Sequence, residues 1–182
     1  MIKTYADYKH YCKVDAEANN YKGKHPRLIG NEIWKFLVAL RRYEYVKNCI
    51  NGGLKRILLP LAKFRWHMLS VKTGILIYPN TFEEGLTLWH YGCIVSHNTV
   101  RGGKRVTIQC GVNIAENVLI GNDVYLAPGA KISKNIEIGN NCIIGYNTVV
   151  TRSIQEEGTY IGMPAKKINS IGYTIDGIRR KI

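Results

Sequence analysis

The sequence predicts a mainly β fold, a parallel β-solenoid behind a helical N-terminal extension, and three observations carry that expectation. Aliphatic residues recur at every sixth position: Ile108, Ile114, Ile120, Leu126, Ile132, Ile138, Ile144 and Val150. Four positions after each member comes a second, small or aliphatic series: Val112, Val118, Val124, Ala130, Ile136, Cys142 and Thr148. Glycine follows the first series directly at Gly121, Gly139 and Gly145. A helix needs a period of about 3.6 and a half-buried strand a period of about 2, so a period of six fits neither. It fits short parallel strands joined by tight turns, three to a coil, with each inward side chain stacked on its equivalent about 4.8 Å along the axis. The glycines are expected where the chain turns sharply.

A chain of 182 residues accommodates one such domain, residues 71–168, with an extension at 1–70 and a C-terminal tail at 169–182. The five cysteines form no CxxC pair and no disulfide framework, which predicts reduced thiols and a cytoplasmic placement. The N-terminus MIKTYADYKH has no apolar signal segment, and nowhere do apolar residues run for the ~20 positions that cross a bilayer. The net charge of +13 is uneven: residues 1–70 carry 14 Lys and Arg against 5 Asp and Glu, a surplus of 9, and residues 71–182 carry 12 against 8, a surplus of 4. An anionic membrane surface, a phosphate-bearing substrate or nucleic acid could answer that charge, as could plain solvation. Without a zinc-finger or RNA-binding signature, nucleic acid is not an expected partner.

Within the extension, Thr4 and Asp7 have the spacing of a helix cap. Asn31 is placed to cap a second helix, whose stripe Ile33, Trp34, Leu37, Val38 and Leu40 lies opposite Lys35, Arg41 and Arg42, with Gly52 and Gly53 as its stop. A third basic, amphipathic segment runs from Leu54 to Met68 with apolar residues at Leu54, Ile57, Leu58, Leu61, Phe64 and Met68, and Pro60 should kink it or mark its start. Such helices can pack on the solenoid, pair with another subunit or lie on a membrane, and packing is the expectation. From Ile75 the repeat begins imperfectly. Leu88, Ile94, Val100 and Val106 anticipate the second series, but Ser96 and Gly102 stand where the first series would place aliphatics. Irregular coils in a strict array are where a site is to be sought.

The repeat, aliphatic then Gly then two polar residues then a small or aliphatic residue, resembles the hexapeptide repeat of left-handed parallel β-helix acyltransferases. That resemblance alone implies the left hand, an exception to the right-handed crossover rule. The segment Gly85-Leu86-Thr87-Leu88-Trp89-His90-Tyr91-Gly92-Cys93-Ile94-Val95 is similar to the G-[LI]-x-[LI]-x-H-x-G-x-I-V motif of the serine acetyltransferase branch, and Gly162-Met163-Pro164-Ala165-Lys166 to the G-x-P-A-[KR] segment that closes the β-helix. The resemblance implies a homotrimer that transfers acetyl from acetyl-CoA to a hydroxyl, with His90 as general base. A higher assembly could form through the N-terminal helices. It also implies that CoA lies in the groove between subunits, its arm along Gly111, Gly145, Gly162 and Ala165 and its phosphates on Lys166 or Lys167. No metal is expected.

The chemistry asks for such a base independently. A hydroxyl attacking a thioester must lose its proton, and imidazole, with a free-side-chain pKa of about 6.5, is suited to take it at neutral pH. Glu84, six residues upstream of His90, and its neighbour Glu83 are the nearest carboxylates. Glu84 is a candidate to orient the base and Glu83 to hold substrate, although a solvated turn is the plainer role for both. His97 is a second candidate for the cleft, with a surface turn as its plainer role, and Trp89 and Tyr91 flank the base where they could stack on a sugar ring or equally pack between subunits. Where the serine acetyltransferase branch has carboxylates to hold the substrate's ammonium group, this chain has Trp89 and Leu76, and the branch's loop with a second histidine is missing. The expected acceptor is therefore a sugar hydroxyl, nucleotide- or lipid-linked, in capsule or other surface polysaccharide synthesis. Peripheral contact with the inner face of a membrane goes with such an acceptor. Serine is the alternative acceptor, and a non-catalytic solenoid the alternative class.

Overall fold

The computed structural model describes residues 1–23 and 25–173. Three helices, α1 (Tyr5–Ala18), α2 (Glu32–Cys49) and α3 (Gly52–Thr73), precede a parallel β-solenoid of about five turns. The first coil contributes β1 (Ile75–Leu76) and β2 (Thr87–Leu88), and the second β3 (Ile94–Ser96), β4 (Arg101–Gly102) and β5 (Thr107–Ile108). The third holds β6 (Asn113–Ile114), β7 (Leu119–Ile120) and β8 (Tyr125–Leu126), and the fourth β9 (Lys131–Ile132), β10 (Glu137–Ile138) and β11 (Cys142–Ile144). The fifth has β12 (Val149–Val150) and β13 (Gly158–Ile161), against which β14 (Lys166–Asn169) turns back antiparallel. The faces are β1-β3-β6-β9-β12, β4-β7-β10 and β2-β5-β8-β11-β13-β14.

Every member of both six-residue series is buried, and all but Thr148 join one apolar column that takes in Phe36, Leu37, Leu40 and Trp66 from the helices. The glycines after the first series serve a different purpose from the expected one. The left-handed corner positions are held by Arg105, Asn117, Asp123, Asn135, Asn141 and Asn147 and by Gly111 and Gly129, whereas Gly121, Gly139 and Gly145 have no positive φ. These three are fixed by stacking: a Cβ on Gly121 would lie 2.5 Å from Asn140 Oδ1, on Gly139 2.6 Å from the Gln155 carbonyl oxygen, and on Gly145 2.7 Å from Ile161 Cγ2. Asparagine suits the corners because its short polar side chain tolerates that backbone and can bond along the stack. Asn117 Nδ2, for instance, donates to Asn135 Oδ1 one coil on at 3.1 Å. Gly139→Ala is expected to lose about 1–3 kcal/mol, read from thermal unfolding, because backbone blocks the new methyl. Gly53→Ala, with open space at its Cβ, should lose nothing.

The helical part departs from its expected pattern in four places. Thr4 and Asp7 do form a capping box, but Asn31 sits in a left-handed conformation without a side-chain cap bond. Gly52 and Gly53 begin α3 rather than end α2, which closes at Cys49, and Pro60 lies inside α3. Arg41, expected on the polar face of α2, is fully buried. Its Nε donates to Asp15 Oδ2 at 2.8 Å, Nη1 donates to Glu44 Oε2 at 3.0 Å and to the Phe82 carbonyl at 2.8 Å, and Nη2 donates to the Glu83 carbonyl at 2.8 Å. Asp15 Oδ1 in turn accepts the backbone N–H groups of Gly85 and Leu86 at 2.8 and 3.0 Å. The cluster thus clamps α1 and α2 to the start of β2. Finally, Leu54, Ile57, Leu61, Phe64 and Met68, expected to pack, are all exposed. The buried side of α3 is instead Ala62, Trp66, Ser70 and Thr73, with Trp66 Nε1 donating to the Ile77 carbonyl at 3.1 Å.

Of the two breaks in the early repeat, Gly102 serves the segment that Arg41 holds through the Phe82 carbonyl. Ser96 is buried, and Gly102 leaves the room that the Phe82 ring fills, since a Cβ there would come within 2.1 Å of it. The described part of the tail packs: Tyr173 is buried and its hydroxyl shares a hydrogen bond with Thr107 Oγ1 at 2.9 Å. The basic run Arg179, Arg180 and Lys181 lies outside the described residues.

Candidate functional site

The register of the strands locates an irregularity in the corner that carries His90. In regular coils the first buried series passes to the second in four positions, as from Ile108 to Val112 and from Leu126 to Ala130. Leu88 pairs with Ile108, and Ile94, which lies one residue before the Val95–Asn113 pair, stands level with Val112. That corner therefore takes six positions where the others take four, and the two extra residues fall within Trp89–Cys93. A stacked corner given two more residues must bulge away from the axis, and here Trp89, His90, Tyr91 and Cys93 are all exposed. Leu88 belongs to the first series, not the second as its six-residue phase implied, and that misassignment hides the insertion in the sequence.

Among the described residues the His90 ring has no hydrogen bond or ion pair. Glu84, the candidate to orient it, is paired with Lys104 at 2.8 Å. Burial disfavours its charged form, but the Lys104 ammonium outweighs that and holds the carboxyl below the usual carboxylate range. Glu83 is also committed, accepting from the Met1 ammonium at 2.5 Å and from the Tyr11 hydroxyl. Partial burial again opposes its charge, and these two donors again win. Both carboxylates fasten the N-terminal segment and the second coil to the first. His97 lies at the opposite end of β3 from His90. Its Nδ1 accepts the Thr99 N–H at 3.3 Å and contacts Thr99 Oγ1 at 2.8 Å, beside a cavity of about 370 Å³ lined in part by Leu76, Ser96, Asn113, Glu116 and Lys131.

The corner between β2-β5-β8-β11-β13 and β1-β3-β6-β9-β12 is continuous along the solenoid. It passes from Trp89–Cys93 through Gly111 and Gly129 to Gly145, and ends at Gly162 and Ala165, which bond to Val149: the Val149 N–H donates to the Gly162 carbonyl at 3.0 Å, and the Ala165 N–H to the Val149 carbonyl at 2.9 Å. Four coil steps of about 4.8 Å make this edge roughly 19 Å long. Gly111, Gly145, Gly162 and Ala165, expected from scattered motifs, thus share the edge on which His90 stands. Trp89 packs against Tyr125, ring centroids 6.2 Å apart, and Tyr125 against Tyr173 at 5.2 Å. Tyr91 stays exposed. Beyond the far end, Lys166 and Lys167 join Arg152 around a cavity of about 560 Å³. Lys167 is already paired with Glu156 at 2.9 Å, so Arg152, which sequence reasoning did not single out, and Lys166 are the more available cations. Among the described residues no three His, Cys, Asp or Glu side chains are grouped to hold a metal ion, and all five cysteines are free thiols.

The fold defines the class: a parallel β-solenoid of hexapeptide repeats with N-terminal helices. Residues 117–152 match the family described as bacterial transferase hexapeptide (six repeats). No curated protein matches the chain. Among solved structures it is similar to the serine acetyltransferase from Brucella abortus strain S19 in complex with coenzyme A, at TM-score 0.74 and 22% identity over 93% of this chain and 71% of that one. A serine acetyltransferase in complex with CoA gives 0.72 and 23% over 90% and 71%. A soybean serine acetyltransferase complexed with serine gives 0.68 and 20% over 90% and 70%. Identities at this level establish a shared fold.

Proposed function

We propose that the protein is an acetyl-CoA-dependent O-acetyltransferase acting on a sugar hydroxyl of a surface polysaccharide or its precursor, with His90 as general base. The observation that carries the reading is the widened corner. Its two extra residues lift an imidazole, which has no hydrogen bond or ion pair among the described residues, onto an edge that runs along the solenoid to Gly162 and Ala165. In the reaction the ring accepts the proton of the acceptor hydroxyl as its oxygen attacks the thioester carbonyl. A C–O bond forms, the C–S bond breaks, and the departing thiolate takes the proton back from the imidazolium. A homotrimer suits this arrangement, because an edge open to solvent in one subunit needs a neighbour's wall to exclude water. Placement in the cytoplasm belongs to the same proposal and rests on the five free thiols.

Arg152 and Lys166 fit the phosphates of CoA, since a cation gives phosphate oxygens charge-assisted hydrogen bonds. Replacing both with Gln is expected to raise the KM for acetyl-CoA about tenfold or more with little change in kcat. An unchanged KM would place the phosphates elsewhere.

A second reading, serine O-acetylation, is supported by the likeness to serine acetyltransferases, one of them complexed with serine. Against it stand Trp89 and Leu76 where an ammonium would need carboxylates, because an unpaired charge in a desolvated pocket is costly. Thiol release from acetyl-CoA, measured with L-serine and with a panel of nucleotide-linked sugars, separates the two. The proposal expects turnover with a sugar and none with serine. Turnover with serine alone would replace it, and no turnover with any acceptor would leave a non-catalytic solenoid.

A further inference from the structure

The outer face of α3 carries Leu54, Ile57, Leu61, Phe64, Met68 and Val71, each more than half exposed. An unbroken apolar row along a helix of 22 residues is not the scatter of single apolar residues that ordinary surfaces show. Its charged neighbours are all of one sign. Lys55, Arg56, Lys63, Arg65 and Lys72 lie on α3, and the helix has no Asp or Glu. Among the described residues Arg56, Lys63 and Arg65 have no ion pair, although Lys72 reaches Glu32 at 3.3 Å. That last contact brings the loop before α2, with Leu28 and Ile29 almost fully exposed, close to the Val71 end of the row. No helix of the described residues is long and apolar enough to cross a membrane.

We propose that α3 docks this face flat on an anionic lipid surface, its apolar row in the interface and its Lys and Arg side chains among the headgroups. The combination of a row of large apolar side chains with uncompensated cations on the same helix matches such a surface in both its chemistries. The competing occupant is a second copy of the chain, since the three-four spacing of the row is also that of a helix–helix seam. Charge argues against it: pairing two such faces would bring their unneutralised cations together with no acidic side chain of α3 to answer them. Lipid docking stands apart from the acetyl-transfer reading and survives its failure.

The test is flotation of the full-length protein with vesicles of phosphatidylglycerol and phosphatidylcholine in equal parts, and with phosphatidylcholine alone. Binding is expected only to the anionic vesicles, weakening as salt is raised. Leu61→Ser with Phe64→Ser should lower the partition about tenfold or more, as should Arg56→Gln with Lys63→Gln and Arg65→Gln. All five positions are exposed, so circular dichroism should show the variants folded. Absence of binding to anionic vesicles, or binding indifferent to both sets of substitutions, overturns the proposal. So does a fall in solution mass on Leu61→Ser with Phe64→Ser, measured by light scattering, which would make the face an interface between copies.

Discussion

His90→Ala is expected to lower kcat/KM for acetyl transfer by about 10²- to 10⁴-fold, the usual worth of general-base assistance. The unfolding temperature should not move, because the residue is exposed and has no hydrogen bond among the described residues. The KM for acetyl-CoA should change little, since the proposed phosphate contacts lie at the other end of the edge. His97→Ala is the control. Held by Thr99 at the far end of β3, it should leave most of the rate in place. Steady-state kinetics on the two variants, with thermal unfolding alongside, reads all of this, and the reverse pattern would move the base to His97.

Arg41→Ala should be the most damaging substitution to stability in the helical part. It leaves the carboxylates of Asp15 and Glu44 buried without their counter-charge, and breaking a buried ion pair from one side costs about 3–5 kcal/mol. In a protein of this size each kcal/mol moves Tm by about 2–4 °C, so calorimetry should show a fall of roughly 6–20 °C. Asp15→Asn and Glu44→Gln, added to Arg41→Met, remove the stranded charges and should restore part of the loss. Asp15 also anchors Gly85 and Leu86, the residues that lead into β2 and the His90 corner. Arg41→Ala should therefore lose acetyl-transfer activity at temperatures where the rest of the solenoid is still folded. A variant with unchanged Tm would mean that the cluster does not clamp the helices to the first coil.

What the sequence reveals and what it hides follow from the range of each signal. The coil interior is legible because one side chain per face repeats in strict phase, so Ile108 to Val150 can be placed without coordinates. The corners are less so. Glycine invites a conformational reading, yet Gly121, Gly139 and Gly145 answer to the coil stacked on them, while half of the left-handed corner positions fall to asparagines that carry no apolar phase. Arg41 has the helical phase of a surface residue, and its partner Asp15 is 26 residues away, out of reach of any local pattern. In α3 the apolar stripe is plain, but periodicity cannot say which of two apolar faces turns inward, and the structure buries Trp66 rather than Phe64. His90 is found by its motif, whereas the widening of its corner emerges only from the pairing of Leu88 with Ile108.

At the centre of this reading His90 meets the thioester end of the donor at the widened corner, and imidazole resonances report on that directly. The chain has five histidines, at positions 10, 25, 67, 90 and 97. In a nitrogen–proton spectrum of the histidine rings, with His90 identified by its loss in His90→Asn, titration with acetyl-CoA should shift the His90 signals and leave those of His10, His25 and His67 in place. A saturable shift at another histidine with His90 unmoved would contradict it.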